Sequence, residues 1–473
     1  MHYPFWYVPG LTAPMLIAIV AVAHILVASY AVGGGFFLAI EVRHAYRTGN
    51  HAYLEYLRGH AWFFILLTEV LGAITGVGIW WAIGLASPLP TSYLINTFVF
   101  GWGMEYVTFI VEIVSAFLFF YLWGKVPALV HQRIGFIYAW SAWLSLVIIT
   151  GITSFMLQPG AWQGNFWLAM ANPQALPQIM ARTGASLLLA TLYVYLHASF
   201  RAKPAGMREM IAKRAGRPAM LGAALITVGG LLWLALLPPS ALMAIEGAAT
   251  LNILVALIFV ISGTLFAMFY FGAYRNPSWL SPGFAIVLLA MGFMVTGAGE
   301  FVREAVRKPF VIYGEVYSHN LMTAQVKPAQ TEGFLQTGVW TRHHVTREFP
   351  SVMDESGRVV SARLLELSLP DKVRVGETLY HHHCGSCHAL SGYSGLRGLL
   401  RGRDREMLRG LIANMDRYHF LMPPWSGTAE EAEVLKEYLA TIALPHPFRN
   451  GGTVRRPSGP ARVDAGDRSH TGG

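Results

Sequence analysis

Apolar runs of bilayer-spanning length begin near Leu11, Ala61, Thr97, Ile134, Met180, Ala219, Leu251 and Phe284, and they constrain this 473-residue chain more than anything else in it. A run of about 20 apolar residues matches the hydrocarbon thickness of a membrane, and lipid offers no partner to a free backbone amide. Each run must therefore close its own hydrogen bonds as a helix. Composition agrees, with 54% of residues hydrophobic and 13% charged, where soluble domains carry about a quarter charged. The expected fold is an all-α membrane protein, a bundle of about eight transmembrane helices over residues 1–314. The first run follows His2 to Pro9 without a basic leader or a small-residue cleavage site, and reads as a retained helix rather than a signal peptide.

The placement of charge sets the topology. Arg43 and Arg47, Lys125 and Arg133, Arg201 through Arg217, and Arg275 follow the first, third, fifth and seventh runs, while loops after the even runs carry almost no Lys or Arg. Basic loops stay in the cytoplasm, so the N-terminus and everything beyond the eighth run are expected outside a bacterial cytoplasmic (inner) membrane. The net charge of +9 is thus spent on topology, with membrane lipid as the surroundings and no nucleic acid partner implied.

Beyond Gly314 no apolar run recurs. Residues 315–370, with scattered Gly and Pro, read as an extracytoplasmic linker or cap; 371–445 as a second, all-α module; and 446–473, rich in Gly, Arg and Ser from Pro447, as a disordered tail. The second module holds the run His381, His382, His383, Cys384, Gly385, Ser386, Cys387, His388, which contains the chain's only two cysteines in a C-x-x-C-H spacing. That spacing is the attachment signature of a covalent haem c: two thiols one helical turn apart form thioethers, and the adjoining His388 falls under the iron. A zinc half-site would need two further ligands of similar spacing, and a disulfide is the other alternative. Met422, followed by Pro423, Pro424 and Trp425, is the leading sixth ligand; Met415 and His419 are rivals, and a methionine that merely fills core space is the plain alternative. The segment resembles class I cytochromes c in its Met-Pro-Pro loop and in its closing helix, Thr428 through Ile442.

Ionisable groups inside spans are costly, and each is a functional hypothesis with a partner to be found. His24 lies in the outer half of the first span; a histidine bonded to a neighbouring carbonyl is its simpler reading. Glu105 and Glu112, two turns apart on one face of the third span, could relay protons or simply brace the bundle as neutral acids, and Glu69 in the second span poses the same choice. At the end of the eighth span, Glu300 and Glu304 are spaced to pair with Arg303, Arg307 and Lys308. Either this is an interfacial salt-bridge network, or the arginines hold haem propionates while a carboxylate reaches iron.

The stretch Glu304, Ala305, Val306, Arg307, Lys308, Pro309, Phe310, then Gly314, Glu315, Val316, is similar to the signature of subunit I of the cytochrome bd oxidases, Glu-Tyr-Gly-Arg-Gln-Pro-Trp leading into Gly-Glu-Val. The likeness extends to the first span, His24 through Glu41, and to the third, where Glu112 heads a Phe-rich stretch ending in Trp123 and Gly124. It covers roughly residues 11–316. The resemblance implies that His24 and Glu304 ligate a haem pair, haem b and/or haem d, near the outer surface. It also implies that Arg307 meets propionates, as the depth of Arg303 allows for that residue too, and that Glu112 serves proton delivery or haem ligation. The family's second carboxylate on the third helix falls on Met104, one position before Glu105.

Three departures from the family follow. The histidine that ligates its low-spin haem b falls on Arg182, and the partner methionine falls among Ile253, Leu254 and Val255. That haem is expected to be absent unless His197 or Met243 replaces the ligands. The long quinol loop shrinks to Pro238 through Thr250, and the ninth helix is missing. The expected activity is that of an oxidoreductase of the respiratory chain, a bd-like terminal oxidase fed through haem c by an external cytochrome c or other redox donor instead of quinol. A second membrane subunit, resembling the family's subunit II, is the expected partner. A non-catalytic electron-transfer subunit of a larger complex and a nitric oxide reductase-like enzyme are the competing readings.

Overall fold

A computed structural model of the chain describes residues 6–203, 205–392 and 394–443; the tail expected from Pro447 lies outside the described residues. Among them, eight helices are long and apolar enough to span a membrane. They are α1 (Ala13–Thr48), α2 (His51–Ala86), α3 (Val99–Tyr121), α4 (Ala128–Phe155), α5 (Ala175–Arg201), α6 (Ala205–Ala235), α7 (Ala249–Tyr274) and α8 (Pro282–Ala305). Their ends carry ordinary helix punctuation. The Thr12 hydroxyl accepts from the Met15 amide and Ser281 from Phe284, prolines occupy the first turns of α1 and α8, and α1 stops at Gly49, whose φ is +62°.

Two helices start well before their apolar runs. α2 begins at His51 instead of near Ala61, because Asn50 caps the Tyr53 amide at 3.0 Å and Tyr53, Tyr56, Leu57 and His60 are buried against the bundle. α6 begins near residue 205 instead of Ala219, since its first turns bury Ile211, Ala212 and Ala215 and leave Lys213 and Arg217 exposed. Runs of apolarity reveal the lipid-crossing stretch of a helix and miss its amphipathic extension into water.

Small residues let the spans approach closely. At Gly33 an added Cβ would lie 2.1 Å from the Ser186 carbonyl oxygen, so α1 and α5 touch backbone to backbone. The even number of spans returns the chain to its starting side. Trp6 and Ala305 emerge at one end of the bundle, here the module end, and the basic loops gather at the other, the basic end. Bulky apolar residues such as Ile74 and Trp81 of α2, Phe100 and Val107 of α3, and Ile253 and Val260 of α7 point outward, as lipid-facing or partner-facing surface requires.

Beyond α8 comes a hairpin, β1 (Phe310–Ile312) antiparallel to β2 (Val316–Tyr317) with Phe310 opposite Tyr317. Short helices follow, then α9 (Val339–Glu348), α10 (Leu369–His383), α11 (Arg405–Ala413) and α12 (Ala429–Ala443). The stretch 315–370 is largely helical rather than irregular, and shares one hydrophobic core with α10 and α12 through Phe334, Leu335, Val352 and Leu364. Glu431 fastens the two parts. Its buried carboxylate accepts the backbone N–H groups of Phe334, Leu335 and Thr428 at 2.9, 2.7 and 2.9 Å, and the Thr428 hydroxyl accepts from the Glu431 amide at 3.2 Å, a capping box at the start of α12. Burial pushes this carboxyl's pKa up against the lowering effect of the three amides.

The helix crossing at the centre of the module fixes a testable asymmetry. A Cβ on Gly376 of α10 would meet the Val434 carbonyl oxygen of α12 at 2.5 Å, whereas one on Gly410 of α11 meets open space. Gly376→Ala should destabilise the module by about 1–3 kcal/mol through overpacking, and Gly410→Ala should stabilise it by up to about 1 kcal/mol through helix propensity. Thermal unfolding of the full chain reads both; equal shifts of one sign would contradict the crossing.

Candidate functional site

The C-x-x-C-H segment is the turn in which α10 ends. The Cys384 amide still bonds the Tyr380 carbonyl at 2.8 Å, and Cys387 and His388 donate back to the Cys384 carbonyl at 3.0 and 2.8 Å, so both thiols lie within one turn. Neither is in a disulfide. His388 Nδ1 lies 3.0 Å from the Ser394 carbonyl oxygen and 3.1 Å from its hydroxyl. A carbonyl can only accept, so Nδ1 carries the hydrogen and Nε2 keeps a free lone pair, the arrangement expected of a metal-ligating histidine. Burial pushes the Cys384 thiol up to about 12. Burial would raise Cys387 as well, but the Lys308 ammonium 3.3 Å away, together with the Ser318 and Ser386 hydroxyls, brings it below the ordinary thiol value.

Two buried histidines beside these thiols were given no role by the sequence. His383 has no hydrogen-bond partner on either ring nitrogen among the described residues, and its ring packs against Phe334, Trp425 and His319 with centroids 4.2, 4.6 and 5.6 Å apart. His319 meets the Ser426 hydroxyl at 3.4 Å through Nε2 and leaves Nδ1 unpartnered. Orphaned buried nitrogens next to two free thiols fit a cofactor that brings polar edges of its own. Of the proposed sixth ligands, Met415 is locked in the module core and His419 accepts the Leu421 amide on Nδ1 at 3.2 Å. Met422 packs partly buried on the core that also holds Cys384.

The module is seated on the bundle through this same segment. Tyr7, just before α1, stacks on His381 at 4.3 Å between centroids, and its hydroxyl is 3.3 Å from that of Tyr380, which donates to the His388 carbonyl at 2.8 Å. On the other flank Phe420 and Leu421 pack into the apolar cluster formed by Ala241, Ala244, Val302 and Val306. Lys308, which touches Cys387, directly follows Arg307 at the end of α8.

Arg307 is buried, ion-pairs with Glu304 one turn before it, and donates to the Val311 carbonyl at 2.9 Å and the Met156 sulfur at 3.2 Å. Its Nε has no partner among the described residues. Arg303 pairs with Glu300 at 2.7 Å. Arg182 donates to the Thr150 and Thr153 hydroxyls, both at 3.4 Å, within electrostatic reach of Glu300 and Arg303. His197 lies in the last turn of α5, at the basic end, and Met243 is exposed at the module end, so these two do not share a site.

His24 lies against α2. Its Nδ1 is 3.2 Å from the Thr75 hydroxyl, which lies 2.8 Å from the Leu71 carbonyl. With its hydrogen on the Leu71 or Gly72 carbonyl, the Thr75 oxygen can accept from an Nδ1–H of His24, which also bonds the Gly72 backbone. Gly76 supplies the cradle, for a Cβ there would stand 3.2 Å from the ring. The two imidazoles expected as iron ligands each have a hydrogen-bonding partner at Nδ1. Val22 of α1 packs where a Cβ on Gly297 of α8 would come within 3.5 Å of it. Glu304 is two turns beyond Gly297 toward the module end and His24 half a turn the other way, about 13 Å apart along the bundle.

Glu105 accepts from the Ser145 hydroxyl at 3.1 Å, and Glu112 faces Tyr138 and lies within electrostatic reach of Glu69 and Glu105. The three carboxyls form one cluster facing α4. Glu69 stands in a π-helical stretch of α2, Leu66–Leu71, the kind of helix irregularity that recurs at functional sites.

Residues 13–235 match the family model of cytochrome bd terminal oxidase subunit I. Among solved structures the chain is similar to the bd oxidase from Geobacillus thermodenitrificans, with a TM-score of 0.55 and 17% sequence identity over 65% of this chain and 90% of that one. No curated protein matches the chain. The spanning helices therefore have the bd oxidase fold in a multi-pass membrane protein.

Because Arg307 is enclosed by protein, its removal has a definite cost. Arg307→Leu strands Glu304 and empties the contacts to Met156 and Val311, and should destabilise the protein by about 3–5 kcal/mol. Arg347→Leu, at a pair whose arginine is 78% exposed, should change stability little. Thermal midpoints of the solubilised full chain check the contrast.

Proposed function

We propose that this protein is a bd-type membrane haem oxidoreductase in which a covalent haem c receives electrons on the outer side of a bacterial inner membrane and passes them to a haem pair inside the bundle, where oxygen is reduced. The contact between Lys308 and Cys387 carries the reading: the haem-attaching turn is one residue removed from Arg307 and its partner Glu304. When bound, the haems supply one-electron redox chemistry. Cys384 and Cys387 would hold haem c, with His388 and Met422 as its axial ligands. The separate levels of His24 and Glu304 suit ligands of two neighbouring macrocycles rather than of one. Arg303 and Arg307 would balance propionate charge, and Glu112, with Glu105 and Glu69 beside it, would hold protons for the reaction. With no extended loop between α6 and α7 to receive quinol, the donor is an external cytochrome c or a comparable carrier. The apolar faces of α2, α3 and α7 offer lateral surface for a second membrane subunit.

The test is spectroscopic and kinetic. The reduced full-length protein should bind carbon monoxide, and reduced cytochrome c rather than quinol should drive oxygen uptake. His24→Ala should lose carbon monoxide binding while retaining covalent haem, and Cys384→Ser with Cys387→Ser should lose covalent haem and donor oxidation. Reduced protein that leaves carbon monoxide unbound would make the chain an electron-transfer subunit, and uptake driven by quinol alone would overturn the assignment of the donor.

A further inference from the structure

The packing of α5 decides where Arg182 points. Pro177, Ala181 and Gly184 lie on one stripe of the helix and meet α6 backbone to backbone. A Cβ on Gly229 would stand 2.7 Å from the Pro177 carbonyl oxygen, and one on Gly222 would stand 2.7 Å from that of Gly184. A seam of this kind, built on small residues, has no room for a guanidinium. Arg182 projects from another stripe, one turn from Ser186, whose carbonyl oxygen lies against Gly33 of α1. It reaches across to α4 and donates from Nη1 to the Thr150 and Thr153 hydroxyls, both at 3.4 Å. Glu300 and Arg303 of α8 are within its electrostatic reach.

Hydroxyls solvate a guanidinium without neutralising it. Arg303 has Glu300 at 2.7 Å and Arg307 has Glu304, but among the described residues no carboxylate stands at ion-pair distance from Arg182. Glu300 is instead shared electrostatically by all three arginines. Three cations against two anions leave one positive charge in excess among these five groups. A charge carried into a span without its own counter-charge is costly, and filling space does not require an arginine. The two threonines engage Nη1 alone, so among the described residues the edge formed by Nε and Nη2 remains open. That edge is the planar fork that binds a carboxylate through two parallel hydrogen bonds.

We propose that Arg182 is a carboxylate-binding residue for the haem pair, its Nε and Nη2 edge taking a propionate while Thr150 and Thr153 hold Nη1. The proposal rests on the haem reading given under the proposed function, and adds to Arg303 and Arg307 a guanidinium that no protein carboxylate already occupies. A fixed positive charge beside a macrocycle favours the reduced iron, which carries one positive charge fewer than the oxidised. Arg182 therefore also raises the potential at which the pair accepts electrons.

The experiment is an optical redox titration of the solubilised full chain, with covalent haem c as the internal reference for the non-covalent haems. Arg182→Gln should shift the ratio of reduced to oxidised non-covalent haem about tenfold toward the oxidised form at a fixed solution potential. The haem c midpoint should stay at its parental value, and extractable haem should be lost faster in detergent. Arg182→Lys, which keeps the charge without the fork, should hold the midpoint and still lose haem faster; it carries the test if the glutamine variant fails to fold. Parental midpoints together with parental haem retention in both variants would overturn the proposal. So would a thermal midpoint that rises with added acetate or phosphate in the parent and not in Arg182→Gln while the potentials stay parental, since that result assigns the edge to a free anion. A parent chain that yields no extractable haem would remove the haem reading before any variant is compared.

Discussion

Lipid supplies no hydrogen bonds, and the interior of this protein is arranged around that fact. Each polar side chain carried into a span must find a partner in the chain itself, and most have done so. Glu41 is held by Arg214 and Tyr53, Glu105 by Ser145, Arg182 by Thr150 and Thr153, and Glu300 by Arg303. Against that background the incomplete cases among the described residues stand out, in the spans and at their ends: Nδ1 of His60, Oε1 of Gln178, Nε of Arg208 and Nε of Arg307. A structure that satisfies nearly every buried donor points to function where it leaves one open.

The same constraint explains how the two halves of the chain are joined. An even number of spans places Tyr7 and Lys308 at one end of the bundle, and the module grips both, Tyr7 through His381 and Tyr380 and Lys308 through Cys387. Phe420 and Leu421, flanked by the histidine and methionine considered as haem ligands, are pressed into the end of α8. The cysteine turn is therefore held from three directions against the helix that carries Glu304. In the proposed function such a fixed seat would set the spacing between two cofactors.

How much of this was legible in the sequence follows from the physics of each signal. The spans were readable because lipid-crossing segments must be continuously apolar, and the parity of charge in their loops agrees with where the module sits. The cysteine turn was readable because its C-x-x-C-H spacing sets both thiols within one turn. The helical character of 315–370 was hidden, since Phe334, Leu335 and Glu431 meet only in three dimensions and no local period announces it. His383 and His319 were hidden for the same reason, as was His60, which looks in sequence like one polar residue at the foot of an apolar run. The nearest clue was its spacing from Tyr53 and Tyr56, three and four residues apart along one face of α2.

Read as a circuit, the arrangement separates the two inputs that reduction of oxygen needs. Electrons would arrive at the module end, through a cofactor tied to a turn that Lys308 holds against α8. Protons would arrive from the opposite end, to which Glu69 and Glu112 lie nearer than His24 does. Opposite entry is what the proposed function would require of a bundle with an even span count and basic loops at the end away from the module. An enzyme so arranged moves charge across the bilayer even if it carries no proton the whole way, because the electron and the proton consumed with it start on different sides.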